Sequence, residues 1–227
     1  MSEKELKDLF NLDVETLEVL KKYYDFVIEK NKVLNLTSII EKDEFYLKHF
    51  CDSLYLNKTI DFSKSLYICD FGTGAGFPGL VLKIVYPNLK VDLIEATNKK
   101  CGFLKGVVES LKLKDVNIIC DRIEEYSKKN IEKYDYVLCR AVAKLGILCE
   151  ISSQVIKNGG YLVCMKSSYK EEIKNVEKVK TLGLELENII DFDLKGNKRC
   201  LIKFIKKENT NHIYPRNYNL IKKNPLF

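Results

Sequence analysis

Apolar positions along the chain recur with two periods, and the change between them divides the sequence. Over the first sixty residues the spacing is helical. Val14, Leu17, Leu20, Tyr24, Val27 and Ile28 share one stripe, with Asp13 placed to cap it. A second helix is predicted from Lys42 to Leu56, with Phe45, His49, Phe50 and Leu54 near one face. From Ser65 onward short apolar runs alternate with helical stretches. Leu66–Asp70 reads as a strand, followed by glycines and a helix opening near Pro78, a residue suited to the first helical position. Val91–Glu95, Val116–Cys120, Tyr134–Cys139 and Tyr161–Lys166 are four more strands. Helices are expected from Asn98 to Leu111, along Leu145, Leu148, Ile151 and Val155, and near 169–182. Gly102 and Gly106 weaken the first of these by roughly 1 kcal/mol each relative to alanine.

Strand–helix alternation implies a parallel sheet covered on both faces. The ending differs, because Leu184–Phe192 and Arg199–Ile205 flank the turn signal Lys195-Gly196-Asn197. A mostly parallel seven-stranded, Rossmann-like α/β sheet with an antiparallel final hairpin is the topology of class I S-adenosylmethionine (SAM)-dependent methyltransferases. The expected organisation is an N-terminal helical extension over 1–60, a cofactor-binding domain over 61–207 and a basic tail over 208–227.

Composition adds exclusions. The chain has 227 residues, 46% hydrophobic and 31% charged, enough for a sizeable core. No apolar run approaches the roughly 18 residues of a membrane span, and Met1-Ser2-Glu3-Lys4 does not open a signal peptide. A cytoplasmic monomer without a membrane partner is therefore expected. Eight cysteines include no C-x-x-C pair and only two histidines accompany them, so no metal site is predicted. Cys69, Cys120, Cys139 and Cys164 lie in strand-like runs and are expected to be buried and reduced, with no disulfide framework. The net charge of +6 is unevenly placed. Lys195 to Phe227 carries +8, which leaves −2 for the preceding 194 residues. A basic end of this kind suits a polyphosphate partner.

Asp70-Phe71-Gly72-Thr73-Gly74-Ala75-Gly76-Phe77-Pro78-Gly79 follows a strand and opens a helix, where a doubly wound sheet binds its ligand. Gly74-x-Gly76-x-x-Gly79 fits a dinucleotide fingerprint, and Asp70-x-Gly72-x-Gly74-x-Gly76 fits a SAM pattern. Pro78 lacks the N–H that a pyrophosphate would use at the helix start, which favours SAM. Asp70 is then placed to hold the methionine amino group and Glu95 to accept the ribose hydroxyls, with Ala96 and Thr97 at the pocket border. After the third strand, Ile123 and Glu124 are the expected neighbours of the adenine.

The residues also resemble a known family. Asn35-Leu36-Thr37, His49-Phe50-Cys51-Asp52-Ser53-Leu54, the segment Asp70–Gly79, Lys99-Lys100-x-x-Phe103-Leu104, Arg122-Ile123-Glu124, Arg140-Ala141-Val142-Ala143 and Tyr214-Pro215-Arg216 occur in the order found in the small-subunit ribosomal RNA methyltransferase G family, RsmG or GidB. Lys166-Ser167 departs from that family's Lys-Gly, and Asn197-Lys198-Arg199-Cys200 matches only loosely. The resemblance implies SAM contacts at Gly72, Phe77, Ile123, Glu124 and Arg140, and at Ala96 and Thr97. It implies as substrate N7 of a guanosine in 16S rRNA, usually counted as 527, in the small ribosomal subunit or an assembly intermediate.

Guanine N7 carries a lone pair and no proton, so its methylation needs no general base and no nucleophile–His–Asp set. Arg140, His49 and Asn35 are accordingly expected to position groups near the pocket. Lys166, Arg199, Tyr214, Arg216, Lys222 and Lys223 are the candidate RNA contacts, with Tyr218 offering a further stacking surface. The alternatives are a SAM enzyme acting on another RNA, a protein or a small molecule, an NAD-dependent oxidoreductase, and a non-catalytic RNA-binding module.

Overall fold

The computed structural model describes residues 1–140 and 143–227. Ala141 and Val142, part of one motif above, lie outside the described residues. Seven strands form one sheet: β1 Tyr67–Phe71, β2 Lys90–Ile94, β3 Val116–Ile119, β4 Tyr134–Arg140, β5 Ile156–Lys166, β6 Leu184–Leu194 and β7 Asn197–Lys206. Their order is β3-β2-β1-β4-β5-β7-β6, with β1 to β5 parallel and β7 antiparallel to both neighbours. The chain reverses its direction across the sheet between β1 and β4, so the crevice at the carboxyl ends of that pair is where this architecture binds ligands. The final hairpin turns through Lys195 (φ 50°) and Gly196 (φ 84°), the two left-handed positions that a tight two-residue hairpin requires.

The helices are α1 Glu3–Phe10, α2 Val14–Leu34, α3 Lys42–Phe45, α4 Asp52–Leu54, α5 Gly79–Val85, α6 Asn98–Ser110, α7 Ile123–Lys129, α8 Leu145–Ser152 and α9 Tyr218–Lys223. Asp13 caps α2 by accepting from the Thr16 N–H at 2.6 Å. Helix α2 buries Leu20, Tyr23 and Val27, so Tyr23 rather than Tyr24 is its innermost aromatic. The predicted helix over 42–56 exists but is not uniform. Between α3 and α4 the residues Tyr46–Cys51 widen into a π turn, and Tyr55–Lys58 tighten into a 3₁₀ turn.

Successive side chains of a strand point to opposite faces, and the core divides accordingly. Ile68, Val91, Leu93, Leu138 and Val163 pack under α5, α6 and the N-terminal helices. Cys69, Phe71, Val137, Cys139 and Leu162 pack under α7, α8 and the chain end.

Two expectations are corrected. The segment near 169–182 is not one helix: Asn175 takes a left-handed conformation (φ 61°), and only Val176–Leu182 forms a 3₁₀ stretch. Cys120 is exposed, because β3 ends at Ile119, and its sulfur is bonded to that of Cys101 (S–S 2.23 Å, Cα–Cα 6.0 Å). Cys69, Cys139 and Cys164 are free and buried.

The chain beyond β7 is docked on the sheet's second layer. Gln154 Nε2 donates to the carbonyls of Asn211 (3.0 Å) and Tyr214 (2.9 Å). The Arg216 backbone N–H and Nε donate to Glu150 Oε1 at 3.0 and 2.8 Å, and its Nη2 donates to Oε2 at 2.6 Å. Glu150 is wholly buried, so this ion pair supplies the counter-charge that its carboxylate needs. Arg216→Ala would leave that carboxylate uncompensated. The expected outcome is a loss of about 3 kcal/mol in the urea unfolding free energy, with Arg216→Lys losing less.

Candidate functional site

The loop between β1 and α5 is shaped by left-handed glycines and one carboxylate. Gly72 (φ 64°), Gly74 (φ 60°) and Gly76 (φ 102°) adopt conformations that side-chain-bearing residues rarely take. Asp70 Oδ2 accepts from the Thr73 hydroxyl (2.6 Å) and the Gly79 N–H (2.8 Å), which closes the turn. The glycines have distinct surroundings. A Cβ on Gly76 would lie 2.5 Å from the Tyr23 hydroxyl and one on Gly79 2.4 Å from Leu93, so both are packing positions. A Cβ on Gly74 would meet nothing within 4 Å, which puts its α-carbon on the open side of the loop. Tyr23 Oη donates to the Ala75 carbonyl at 2.5 Å and ties α2 to the loop.

Asp70 is fully buried, and its Oδ1 has no hydrogen-bond partner among the described residues. Burial pushes its carboxyl up to about 6, against the pull of Thr73, Gly79 and the Arg140 charge. An orphaned acidic oxygen beneath an open glycine cradle fits a ligand with a cationic group. At the tip of β2, buried Glu95 accepts from the Gly74 N–H (3.1 Å) and the Thr97 N–H (2.9 Å). Ala96 and Thr97 are exposed beside it. Ile123 and Glu124 open α7, both buried, with the Glu124 carboxylate ion-paired to Arg122. Asp70, Glu95 and Glu124 thus stand at the carboxyl ends of β1, β2 and β3 or just beyond them.

Arg140 ends β4 and is partly buried. Its Nη1 donates to the Lys48 carbonyl (3.0 Å) and lies 3.5 Å from Asp52 Oδ2; its Nη2 reaches His49 Nδ1 at 2.9 Å. The guanidinium carbon sits 5.2 Å above the Phe77 ring, against which the His49 imidazole stacks at 4.4 Å. A guanidinium can only donate, so His49 Nδ1 accepts, and its Nε2 carries the proton towards Thr37 Oγ1 (2.9 Å). Burial, then the charges of Arg140 and Lys48, push the His49 value down to about 3. His49 is therefore neutral and fully engaged at pH 7.

Asn35 is exposed and caps the C-terminus of α2. The neighbouring turn is organised by Asn31, whose Oδ1 accepts from Leu36 and Thr37 and whose Nδ2 donates to the Thr37 carbonyl. Lys166 Nζ lies 2.7 Å from both oxygens of Glu172 and 3.2 Å from the Ala143 carbonyl. Arg199 Nε stands 3.5 Å from Asp52 Oδ1. Lys222 and Lys223 are exposed on α9, while Arg216 is held by Glu150. Tyr214 is half-buried, and Tyr218 lies 4.9 Å beneath the Arg122 guanidinium. Glu172, Asn31 and Tyr23 carry no motif signal: Asn31 bonds within its own turn, whereas Tyr23 meets Ala75 and Glu172 meets Leu145 across the fold.

A family model described as GidB, rRNA small subunit methyltransferase G, matches residues 16–200. The chain belongs to the rRNA small subunit methyltransferase G family. A member from Bacillus subtilis, named ribosomal RNA small subunit methyltransferase G, is 40% identical over 222 residues, covering 95% of this chain and 93% of its own. Among solved structures, a SAM-dependent methyltransferase from Aquifex aeolicus superposes with a TM-score of 0.53 at 18% identity, over 71% of this chain and 93% of its own. Aeropyrum pernix fibrillarin with bound SAM gives 0.54 at 14%, over 68% and 73%. These two likenesses establish the class I methyltransferase fold. Membership in the family removes the dinucleotide oxidoreductase as a reading of the glycine loop. Among the described residues no helix is long and apolar enough to cross a membrane.

Two outcomes are expected. Gly74→Val places a branched side chain at a left-handed position facing the crevice; calorimetry should show SAM binding lost, with the circular dichroism spectrum retained. His49 has a folded-state value below its unfolded one, so the unfolded chain takes up the proton first. Its stabilisation is complete above pH 6.5 and is lost as the pH falls from there towards 3. Between pH 6.5 and 5 the wild type should lose roughly 1.5 kcal/mol more than His49→Gln, read from urea titrations.

Proposed function

We propose that this chain transfers the methyl group of SAM to N7 of a guanosine in 16S rRNA, at the position usually counted as 527, within the small ribosomal subunit or an assembly intermediate. The observation that carries the reading is a junction. The glycine loop with its orphaned Asp70 oxygen and a cavity lined by His49, Asp52, Lys166 and Arg199 meet at Arg140. Family membership supplies the substrate class.

SAM supplies an electrophilic methyl group. Asp70 is assigned to its ammonium, Glu95 to the ribose hydroxyls, and Ile123 with Glu124 to the adenine edge. Gly72, Gly74, Gly76 and Phe77 shape the loop, and Ala96 and Thr97 border it. Guanine N7 attacks through its own lone pair, so no side chain has to remove a proton. The engaged, neutral His49 is consistent with that demand, because it is a positioning residue with no free nitrogen. Arg140 already donates to Lys48 and His49, which keeps its guanidinium from occupying N7 and leaves it to fix the N-terminal layer against the sheet. The acceleration then comes from holding nitrogen, methyl carbon and sulfur in line.

Arg199, at the cavity, and Lys222 and Lys223, on α9, are assigned to phosphate contacts, and Tyr214 to the same RNA-facing side. Arg216 acts through the tail it pins.

Incubating the protein with methyl-labelled SAM and small-subunit rRNA, free and assembled, should place one label on one guanine. Mapping should find it at N7. Label on protein, on a pyrimidine, or on no RNA overturns the reading.

A further inference from the structure

Beside Arg140 the carboxyl edge of the sheet opens into a cavity of about 440 Å³, within the size range of small-ligand sites. Its wall includes the cations of Lys48, Arg140, Lys166 and Arg199 and the carboxylates of Asp52 and Glu172. The two carboxylates are set differently. Asp52 lies between Arg140 and Arg199, and its Oδ1, ion-paired to Arg199 without a hydrogen bond among the described residues, is shut off from solvent, so a ligand meets the guanidiniums first. Glu172 keeps 27% of its side-chain surface open. Lys166 approaches both of its oxygens, and the Leu145 N–H donates to Oε2 at 2.6 Å. A carboxylate offers about four lone-pair sites. Among the described residues one on Oε1 is therefore free, and an ammonium spanning both oxygens stays paired if it keeps either one.

We propose that Glu172 accepts the N1–H and the exocyclic N2 amine of the target guanine and so sets the preference for guanine over adenine. This rests on the guanine-N7 reading above. N7 and the N1–N2 edge lie on opposite sides of a purine. Across the sheet the order is β1, β4, β5. A base whose N7 faces the glycine loop after β1 sends its N1–N2 edge past Arg140 towards the end of β5, where Lys166 holds Glu172. Guanine presents two adjacent donors there. Adenine presents the N1 lone pair and a C–H, which a carboxylate repels or ignores.

The same contact favours the reaction itself. As N7 acquires the methyl group, positive charge spreads through the purine, and N1–H and N2–H become stronger donors. A carboxylate on that edge binds the transition state more tightly than the ground state, whereas a free cation there would do the reverse. Pairing with Lys166 holds Glu172 in place. Glu172 therefore contributes to kcat as well as to base choice.

The test compares rRNA carrying guanosine or inosine at the target position, with wild type and E172Q. Inosine keeps N7 and N1–H and lacks the N2 amine. Wild type should prefer guanosine by about tenfold in kcat/KM. In E172Q kcat on guanosine should fall by about tenfold, and the guanosine-to-inosine ratio should shrink to within about twofold. SAM affinity by calorimetry and the melting temperature should stay near wild type. An unmoved ratio in E172Q overturns the assignment, and so does a wild type indifferent to inosine. Loss of SAM affinity and kcat together with an unmoved ratio makes Glu172 a latch between the β4 and β5 loops and also overturns it. A wild type that labels no guanine N7 overturns the functional reading itself, an outcome distinct from the other three.

Discussion

A guanidinium largely covered at the end of a parallel strand, with only 17% of its side-chain surface open, has to find most of its acceptors within the protein. Arg140 meets that requirement almost wholly with groups from the N-terminal helices: the Lys48 carbonyl, the His49 ring and the Asp52 carboxylate. The docking of that layer on the sheet is thus set by one cation. Phe77, from the glycine loop, lies against both Arg140 and His49, so the same contact joins that loop to the wall of the cavity beside Arg140. Burial lowers the values of both Arg140 and His49. Only Arg140 keeps its charge at neutral pH, and the pair therefore carries one positive charge.

Charge placement along the carboxyl edge follows from that economy. Carboxylates stand at or beyond the ends of β1, β2 and β3, as Asp70, Glu95 and Glu124. Around the cavity each cation has a nearby acid: Arg199 and Arg140 share Asp52, Lys166 has Glu172 and Lys48 has Glu44. A methylation that moves one positive charge from sulfur to a purine leaves the net charge unchanged. The edge needs only small differences in field between its two halves, and paired ions provide those without a strongly cationic floor.

What could be read from the sequence was local. Near-continuous apolar runs marked β1 and β4, Asp13 marked the start of α2, and Lys195-Gly196 marked the hairpin. The glycine loop was legible for the same reason, since its conformation is a property of its own residues. Tyr169, Ile173, Val176 and Val179 imitate a helical stripe, yet Glu172 is drawn to Lys166 and Leu145, and Asn175 turns left-handed, so tertiary contacts override the period. The cavity was the least legible part, because Asp52 meets partners 88 and 147 positions away and neither pairing leaves a local trace. The count of basic residues at the chain end located charge but not its use: Arg216 is matched by a buried acid 66 positions upstream.

The widened turn at Tyr46–Cys51 bears on how this layer can vary. A π turn holds one residue more than an ordinary helical turn in the same rise. The extra residue is absorbed within that turn, so Phe45 keeps its place in the core and Asp52 its place between the two guanidiniums, as they would on a regular helix one residue shorter. A change of one residue in length is therefore tolerated in this stretch, whereas in the regular turns of α2 it would swing everything after it by about 100° around the helix axis.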